Sequence, residues 1–74
     1  MTTIFSYKEL KASYEQFKKA LPKDMFERYA QELKHVRGLI QSAKLQGLEK
    51  DVFEYQKIEK ESVEHLRAMG YRIQ

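Results

Sequence analysis

Chain-breaking residues are rare in this chain of 74 residues, and their scarcity constrains the fold more than any other feature. Pro22 is the single proline, and Gly38, Gly47 and Gly70 are the three glycines. Such residues mark turns because proline fixes φ and glycine adopts positive φ without strain. The sequence therefore predicts a single domain of residues 1–74, built from a few long elements joined by short connections.

Two apolar stripes at helical spacing fill the first part of the chain. Ser6 and Asp24 precede them, and each is followed three residues later by a glutamate, as in a capping box. Gly47 is the residue type preferred just after a helix C-terminus. We predict an antiparallel helical hairpin over about residues 6–20 and 23–46. The stripes consist of Tyr7, Leu10, Tyr14, Phe17 and Leu21, then Phe26, Tyr29, Leu33, Val36, Ile40 and Ala43.

The phrase KDMFERY at Lys23–Tyr29 returns nearly unchanged as KDVFEY at Lys50–Tyr55, yet we predict a different structure for the second copy. A single helix over residues 51–69 would put the Glu59 carboxylate near the middle of its apolar face. A buried unpaired carboxylate is costly, so this arrangement is unfavourable. The second copy is also rich in β-branched and aromatic residues, which suit a pleated surface.

We therefore predict an α+β fold that is mostly helical. After the hairpin come a strand at about residues 51–57, a short helix at about 59–69 and a C-terminal strand at 71–74. The alternative is a three-helix bundle. Two strands alone form a marginal sheet, so a third is expected from Thr2–Phe5 or from another subunit. The second of these sources predicts a homodimer with a continuous sheet.

The C-terminal half of the chain contains the segments IQSAKLQG, VFEYQKI and ESVEHLRAMGYRIQ. We interpret them as helix, glycine, strand, short helix and Gly-Tyr strand. In this order the segment resembles the endings of small uncharacterised accessory proteins of tailed bacteriophages. The resemblance implies a phage-encoded accessory protein that binds a host or phage protein, and it assigns no functional residues.

Composition argues against several chemistries. The chain has no cysteine, so disulfides and thiolate metal sites are excluded. Three isolated glycines cannot form a phosphate-binding loop. Glu32 and His35 have the E-x-x-H spacing of helical di-iron sites, but the apolar stripe of the second helix turns His35 toward the surface. We therefore predict no catalytic residues, no metal, no cofactor and no enzymatic activity.

Hydropathy and charge indicate a folded protein that does not enter a membrane. No apolar run approaches the roughly 18 residues of a membrane span, and the N-terminus has no signal-peptide apolar core. Charged residues of both signs make up 34% of the chain and hydrophobic residues 42%, which argues against disorder. We expect a cytoplasmic location, in a bacterial host cell if the protein is phage-encoded.

These features favour a non-catalytic protein-interaction or regulatory module that occludes or remodels a protein partner. The second helix is predicted to overhang the first, which leaves apolar side chains to be covered. Aromatic side chains on the predicted sheet are typical interface anchors. The candidate partner-binding residues are Leu39, Leu45, Phe53, Tyr55 and Tyr71.

The alternative function is a small nucleic-acid-binding accessory protein. Residues 1–47 contain nine Lys or Arg against five Asp or Glu, and no acidic residue lies between Leu33 and Leu48. Cationic side chains in a row on one helix face can contact phosphates. We name the candidate set the basic row; it consists of Lys34, Arg37, Gln41 and Lys44.

Overall fold

The computed structural model describes residues 6–73, and within them every regular element is an α-helix. Helix α1 spans Tyr7–Lys19, α2 spans Met25–Gln46 and α3 spans Glu49–Ala68. The predicted α+β fold is therefore wrong, and the alternative, a three-helix bundle, fits the structure. Successive helices run antiparallel, with α2 packed against both of the others.

Local capping signals determine where α1 and α2 begin. The Ser6 side chain accepts a hydrogen bond from the backbone N–H of Glu9 at 3.2 Å. The Asp24 side chain accepts one from the N–H of Glu27 at 2.9 Å. Each bond satisfies one of the free N–H groups of a first turn, as the capping-box pattern predicts. The segment Thr2–Phe5, predicted as a third strand, lies outside the described residues.

The predicted strand at 51–57 and short helix at 59–69 are instead parts of one continuous helix, α3. The prediction failed because it treated the Glu59 carboxylate as unpaired. The Nε atom of Arg37, on α2, lies 3.1 Å from a carboxylate oxygen of Glu59. Because Glu59 is paired and only half-buried, the apolar face of α3 accommodates it without the penalty of an isolated charge.

Glycine ends both α2 and α3 in the left-handed conformation. Gly47 has φ 72° and Gly70 has φ 93°, values that other residues adopt only with strain. After each glycine the chain turns back on its helix, so the N–H of Leu48 donates to the Ala43 carbonyl and that of Tyr71 to the Leu66 carbonyl. The predicted C-terminal strand is wrong for residues 71–73, which have no regular structure, and Gln74 lies outside the described residues.

The core lies where the three helices meet along α2. Leu39, which was predicted to lie on an uncovered overhang of α2, is instead buried in this core, and its exposed fraction is 0%. The main buried cluster is completed by Tyr7, Tyr14, Val36, Ile40, Ala43 and Tyr55. Residues from all three helices share this cluster, which makes the bundle one packed unit.

Candidate interaction surfaces

A hydrogen-bonded tyrosine pair joins the first turn of α1 to α3. The hydroxyl of Tyr7 donates to a carboxylate oxygen of Asp51 at 2.6 Å and lies 3.4 Å from the hydroxyl of Tyr55. Burial, followed by the hydrogen bond to Asp51, raises the pKa of Tyr7 well above its ordinary value of 10.0. The proton therefore stays on Tyr7 at neutral pH, so this group acts as a structural donor.

A second polar link joins all three helices near the middle of the bundle. The buried Ser62 hydroxyl, on α3, donates to a carboxylate oxygen of Glu32, on α2, at 3.0 Å. Burial and then the nearby Glu32 charge raise the pKa of Tyr14, on α1, to about 12. Glu32 is thus a half-buried acceptor that satisfies interior hydroxyl groups, which explains a carboxylate at this position.

His35 does not lie on the open surface, which corrects the orientation predicted for it. It is half-buried, and its ring centroid lies 5.0 Å from that of Phe17 on α1. Burial, followed by the charge of Lys34, lowers its pKa below the ordinary value of 6.5. Glu32 and His35 of the E-x-x-H spacing therefore serve separate packing roles. Among residues 6–73, no three His, Asp or Glu side chains form a group that could hold a metal ion.

The residues predicted to bind a partner divide into two groups. Leu39 and Tyr55 are buried in the core, so their side chains are not accessible at the surface. Leu45 is 87% exposed, Phe53 is 73% exposed, and Tyr71 is exposed beside Phe26. The accessible candidates therefore lie at opposite ends of the bundle: Leu45 and Phe53 at the α2–α3 turn, and Tyr71 at the α1–α2 turn.

The apolar surface at the α2–α3 turn consists of Leu45, Leu48 and Phe53, and we name it the turn surface. The tight turn at Gly47 brings the last turn of α2 next to the first two turns of α3. A shallow groove here is lined by Lys44, Leu48 and Phe53, among others. Leu45 lies on the other side of Lys44, in a larger groove beside α1. Two apolar side chains thus project on either side of one turn.

The basic row is exposed, but its members have different surroundings. Arg37 is turned toward α3, where it pairs with Glu59. Lys34 lines a groove of about 400 Å³ between α1 and α2, and Gln41 and Lys44 line a neighbouring groove of about 750 Å³. Gly38 lines both grooves. The structure therefore places the row along the open side of α2 and engages its only arginine in an ion pair.

An apolar and strongly cationic surface at the α1–α2 turn is not apparent from the sequence alone. We name it the basic end and define it as residues 16–28 and 65–73. Five of its large apolar side chains are exposed: Leu21, Met25, Phe26, Met69 and Tyr71. Its cationic side chains are Lys18, Lys19, Lys23, Arg28, Arg67 and Arg72. The signal was present as charge in both segments, but only the antiparallel three-helix arrangement brings the segments together.

Comparisons with known proteins give no guide to the function of this chain. A scan against protein-family models matches no family, and searches of curated proteins and of solved structures return no match. The resemblance to phage accessory proteins therefore stays a prediction. Within the described residues, none of the three helices is long and apolar enough to cross a membrane.

Proposed function

We propose that the protein is a non-catalytic interaction module that binds a protein partner through the turn surface. The observation that carries the proposal is the exposure of Leu45, at 87%, and Phe53, at 73%, on either side of one tight turn. Exposed apolar side chains are common singly, but a cluster projecting from a rigid element is typical of an interface. Both side chains lie on helices, so their backbone is already ordered before a partner binds.

The surroundings of the turn surface support a protein as its ligand. Phe53 offers a flat apolar anchor, and Leu48, in the turn between the two helices, adds a less exposed apolar side chain. Lys44, Glu49 and Lys50 line the grooves at this turn and add charges of both signs next to the apolar side chains. An apolar centre with a polar rim is the usual anatomy of a protein interface. Binding here would occlude the partner's complementary surface, and we propose this as the mechanism.

A capture experiment with matched variants tests the proposal. The immobilised protein is exposed to bacterial lysate, and captured proteins are compared between wild type and the double variant Leu45→Ser with Phe53→Ser. The control is Gln46→Ser with Gln56→Ser, which changes exposed polar residues on the same two helices. We expect at least one protein that the wild type and the control capture and the double variant does not. Capture that is equal in all three would contradict the proposal.

The same protein samples distinguish a second copy and nucleic acid as ligands. Sedimentation of the wild type alone measures self-association, which the double variant should abolish if the turn surface binds another copy. Sedimentation with mixed-sequence nucleic acid, at low and moderate salt, tests the basic row. Phosphate contacts weaken steeply with salt, whereas an apolar interface does not. Salt-sensitive binding that Lys34→Glu with Lys44→Glu removes would favour the alternative function.

A further inference from the structure

We propose that the basic end binds an acidic amphipathic segment of a partner protein. This inference rests on the proposed function, because it assumes an interaction module, and it assigns a second surface with a different ligand chemistry. The basic end lies opposite the turn surface along the bundle. The two surfaces share no residue, so an experiment can contradict binding at one surface without contradicting binding at the other.

The fold places the apolar part of the basic end with defined geometry. The positive φ of Gly70 turns the chain back after α3. Tyr71 therefore lies on Phe26, at the start of α2, with the ring centroids 4.1 Å apart and the planes inclined by 25°. The guanidinium of Arg67 donates to the carbonyl of Ile73 at 3.2 Å and holds the segment after the helix. The patch is thus built from side chains at the start of α2 and in the segment that follows α3.

Methionine contributes two of the five exposed apolar side chains in the basic end. Met25 begins α2, and Met69 follows the last residue of α3. The unbranched methionine side chain adapts to partners of different shape, and methionine is common on surfaces that receive amphipathic helices. Phe26 and Tyr71 supply the rigid part of the patch. A helix with apolar residues along one side fits this combination.

The positive charge of the basic end indicates that the partner segment is acidic as well as apolar. The basic end contains six cationic side chains against two carboxylates, Asp24 and Glu27, which gives it a net charge of +4. The whole chain has a net charge of +3, so the remainder is slightly negative. Among residues 6–73, none of the six cations pairs with a carboxylate. Acidic residues beside the apolar side of a partner segment would neutralise them at the interface.

Arg28 supplies an additional sign of incomplete pairing in the basic end. Its Nε atom is buried and has no hydrogen-bond acceptor among the described residues. One terminal nitrogen of the same guanidinium lies 3.9 Å from the sulfur of Met25, which is a weak acceptor. A carboxylate ligand beside Met25 would give this guanidinium the acceptor that the bundle does not provide.

Other occupants fit the basic end less well. A second copy would bring a charge of +4 against +4, which is repulsive. In single-stranded nucleic acid the bases stack on open aromatic faces, but Phe26 and Tyr71 cover one face of each other. Membrane-binding surfaces insert their apolar side chains about 5–10 Å into the lipid boundary. The apolar side chains here are each 39–47% exposed, so the bundle already covers more than half of each one.

A display selection with matched variants tests the inference. A library of random peptide segments is selected against the wild type. We expect the enriched segments to be acidic and to carry apolar residues at helical spacing. Synthetic peptides of enriched sequence are then titrated by fluorescence anisotropy against Lys23→Glu with Arg72→Glu. This variant should lower affinity at least about tenfold, which is the change expected when 1.4 kcal/mol of binding is lost.

The matched control is Lys57→Glu with Lys60→Glu, which makes the same change in net charge at exposed positions on α3. Its affinity should stay close to that of the wild type. The variant Met25→Ala with Met69→Ala should also weaken binding, and thermal unfolding checks that each variant is folded. No enrichment, enrichment without acidic bias, or equal loss in the control would overturn the inference.

Two competing ligands complete the test. Single-stranded homopolymeric DNA and vesicles with anionic phosphatidylserine are titrated under the same conditions, with the same variants. Tighter binding of either, lost on Lys23→Glu with Arg72→Glu, would overturn the inference in favour of that ligand. Binding by the turn surface is measured separately with the Leu45 and Phe53 variant. A partner lost only from that variant, with no peptide selected here, would contradict the inference and leave the proposed function intact.

Discussion

Helices α1 and α3 pack against the same helix, α2, but they do so with different chemistry. Helix α3 buries Leu66 and is also held by the bond from Ser62 to Glu32 and the ion pair between Glu59 and Arg37. Helix α1 buries the tyrosines Tyr7 and Tyr14, and its other apolar side chains are only partly covered. The α3 attachment is thus long and combines apolar packing with polar links, and the α1 attachment is shorter and depends mainly on aromatic side chains.

The α1 attachment contains the groups whose pKa values are clearly shifted, and we therefore expect it to respond to pH. Tyr7, Tyr14 and His35 have clearly shifted pKa values, and all three lie where α1 meets its neighbours. Each is partly or fully buried in its uncharged form. Ionising any of them disfavours the α1 contact, because burial favours the uncharged form of each group.

The largest effect is expected for Leu66→Ala. Leu66 is 1% exposed, and truncation of a buried leucine leaves a cavity and costs about 2–5 kcal/mol of unfolding free energy. A bundle this small has little stability to lose, so the variant should be largely unfolded at 37 °C. Guanidinium unfolding monitored by circular dichroism measures the loss. Leu45→Ala, at an exposed position, is the control and should change stability by less than about 0.5 kcal/mol. A similar loss in both variants would contradict the assignment of Leu66 to the core.

The first two helices could be predicted from the sequence because their signals are local. Ser6 with Glu9 and Asp24 with Glu27 satisfy backbone donors within one turn, so no distant residue is needed. Gly47 ends α2 for the same kind of reason, since positive φ is a property of the residue itself. Such local features can be recognised in a sequence because they do not depend on the fold of the rest of the chain.

Helix α3 and the surfaces could not be predicted in the same way because they depend on distant partners. Glu59 is compatible with a helix only because Arg37, 22 positions earlier, reaches it across the α2–α3 interface. His35 is half-buried because α1 crosses α2 beside it, which the stripe of α2 alone does not reveal. The basic end likewise exists only once the end of α3 lies beside the start of α2.

The next largest effect is expected for Tyr7→Phe, which weakens the attachment of α1 to the bundle. The change keeps the ring and removes the hydroxyl that donates to Asp51. A hydrogen bond to a charged acceptor contributes about 1.5–3 kcal/mol, and the partial exposure of Asp51 favours the lower value. Guanidinium unfolding should show this loss, and Tyr71→Phe, at an exposed ring, should show none. Equal stability of Tyr7→Phe and the wild type would mean that the bond contributes nothing.

The contact between α1 and α2 should also lose stability in mildly acidic solution, because of His35. The pKa of His35 is lowered in the folded protein, so the unfolded chain takes up the proton first as pH falls through 6.5. Stability from this group is complete above pH 6.5 and is lost progressively below it. Unfolding midpoints measured between pH 7.5 and 5 should decline, and His35→Gln should flatten the decline. His65→Gln is the control, because His65 is exposed on α3.

The dependence of stability on pH has the opposite sign in alkaline solution, where Tyr7 and Tyr14 lose their protons. Their folded pKa values are raised, so the unfolded chain loses protons first as pH rises above 10. Stability contributed by Tyr7 and Tyr14 is complete below pH 10 and falls above it. The expected result is a loss of stability that begins near pH 10 and is less steep with pH in Tyr7→Phe, which starts from a lower stability at neutral pH. Unchanged alkaline unfolding in that variant would assign the effect to other groups.

The smallest effect is expected for Gly38→Ala, on the open side of α2 beside α1. Gly38 lies inside a helix, and a Cβ atom there would meet nothing within 4 Å. Alanine lowers the conformational entropy of the unfolded chain, so the variant should be up to about 1 kcal/mol more stable. Gly47→Ala is the matched control and should be less stable, because φ of 72° strains any residue with a Cβ atom. Thermal unfolding of both variants measures the expected gain in Gly38→Ala and the expected loss in Gly47→Ala. A loss in Gly38→Ala would mean that α1 packs more closely against α2 than this groove allows.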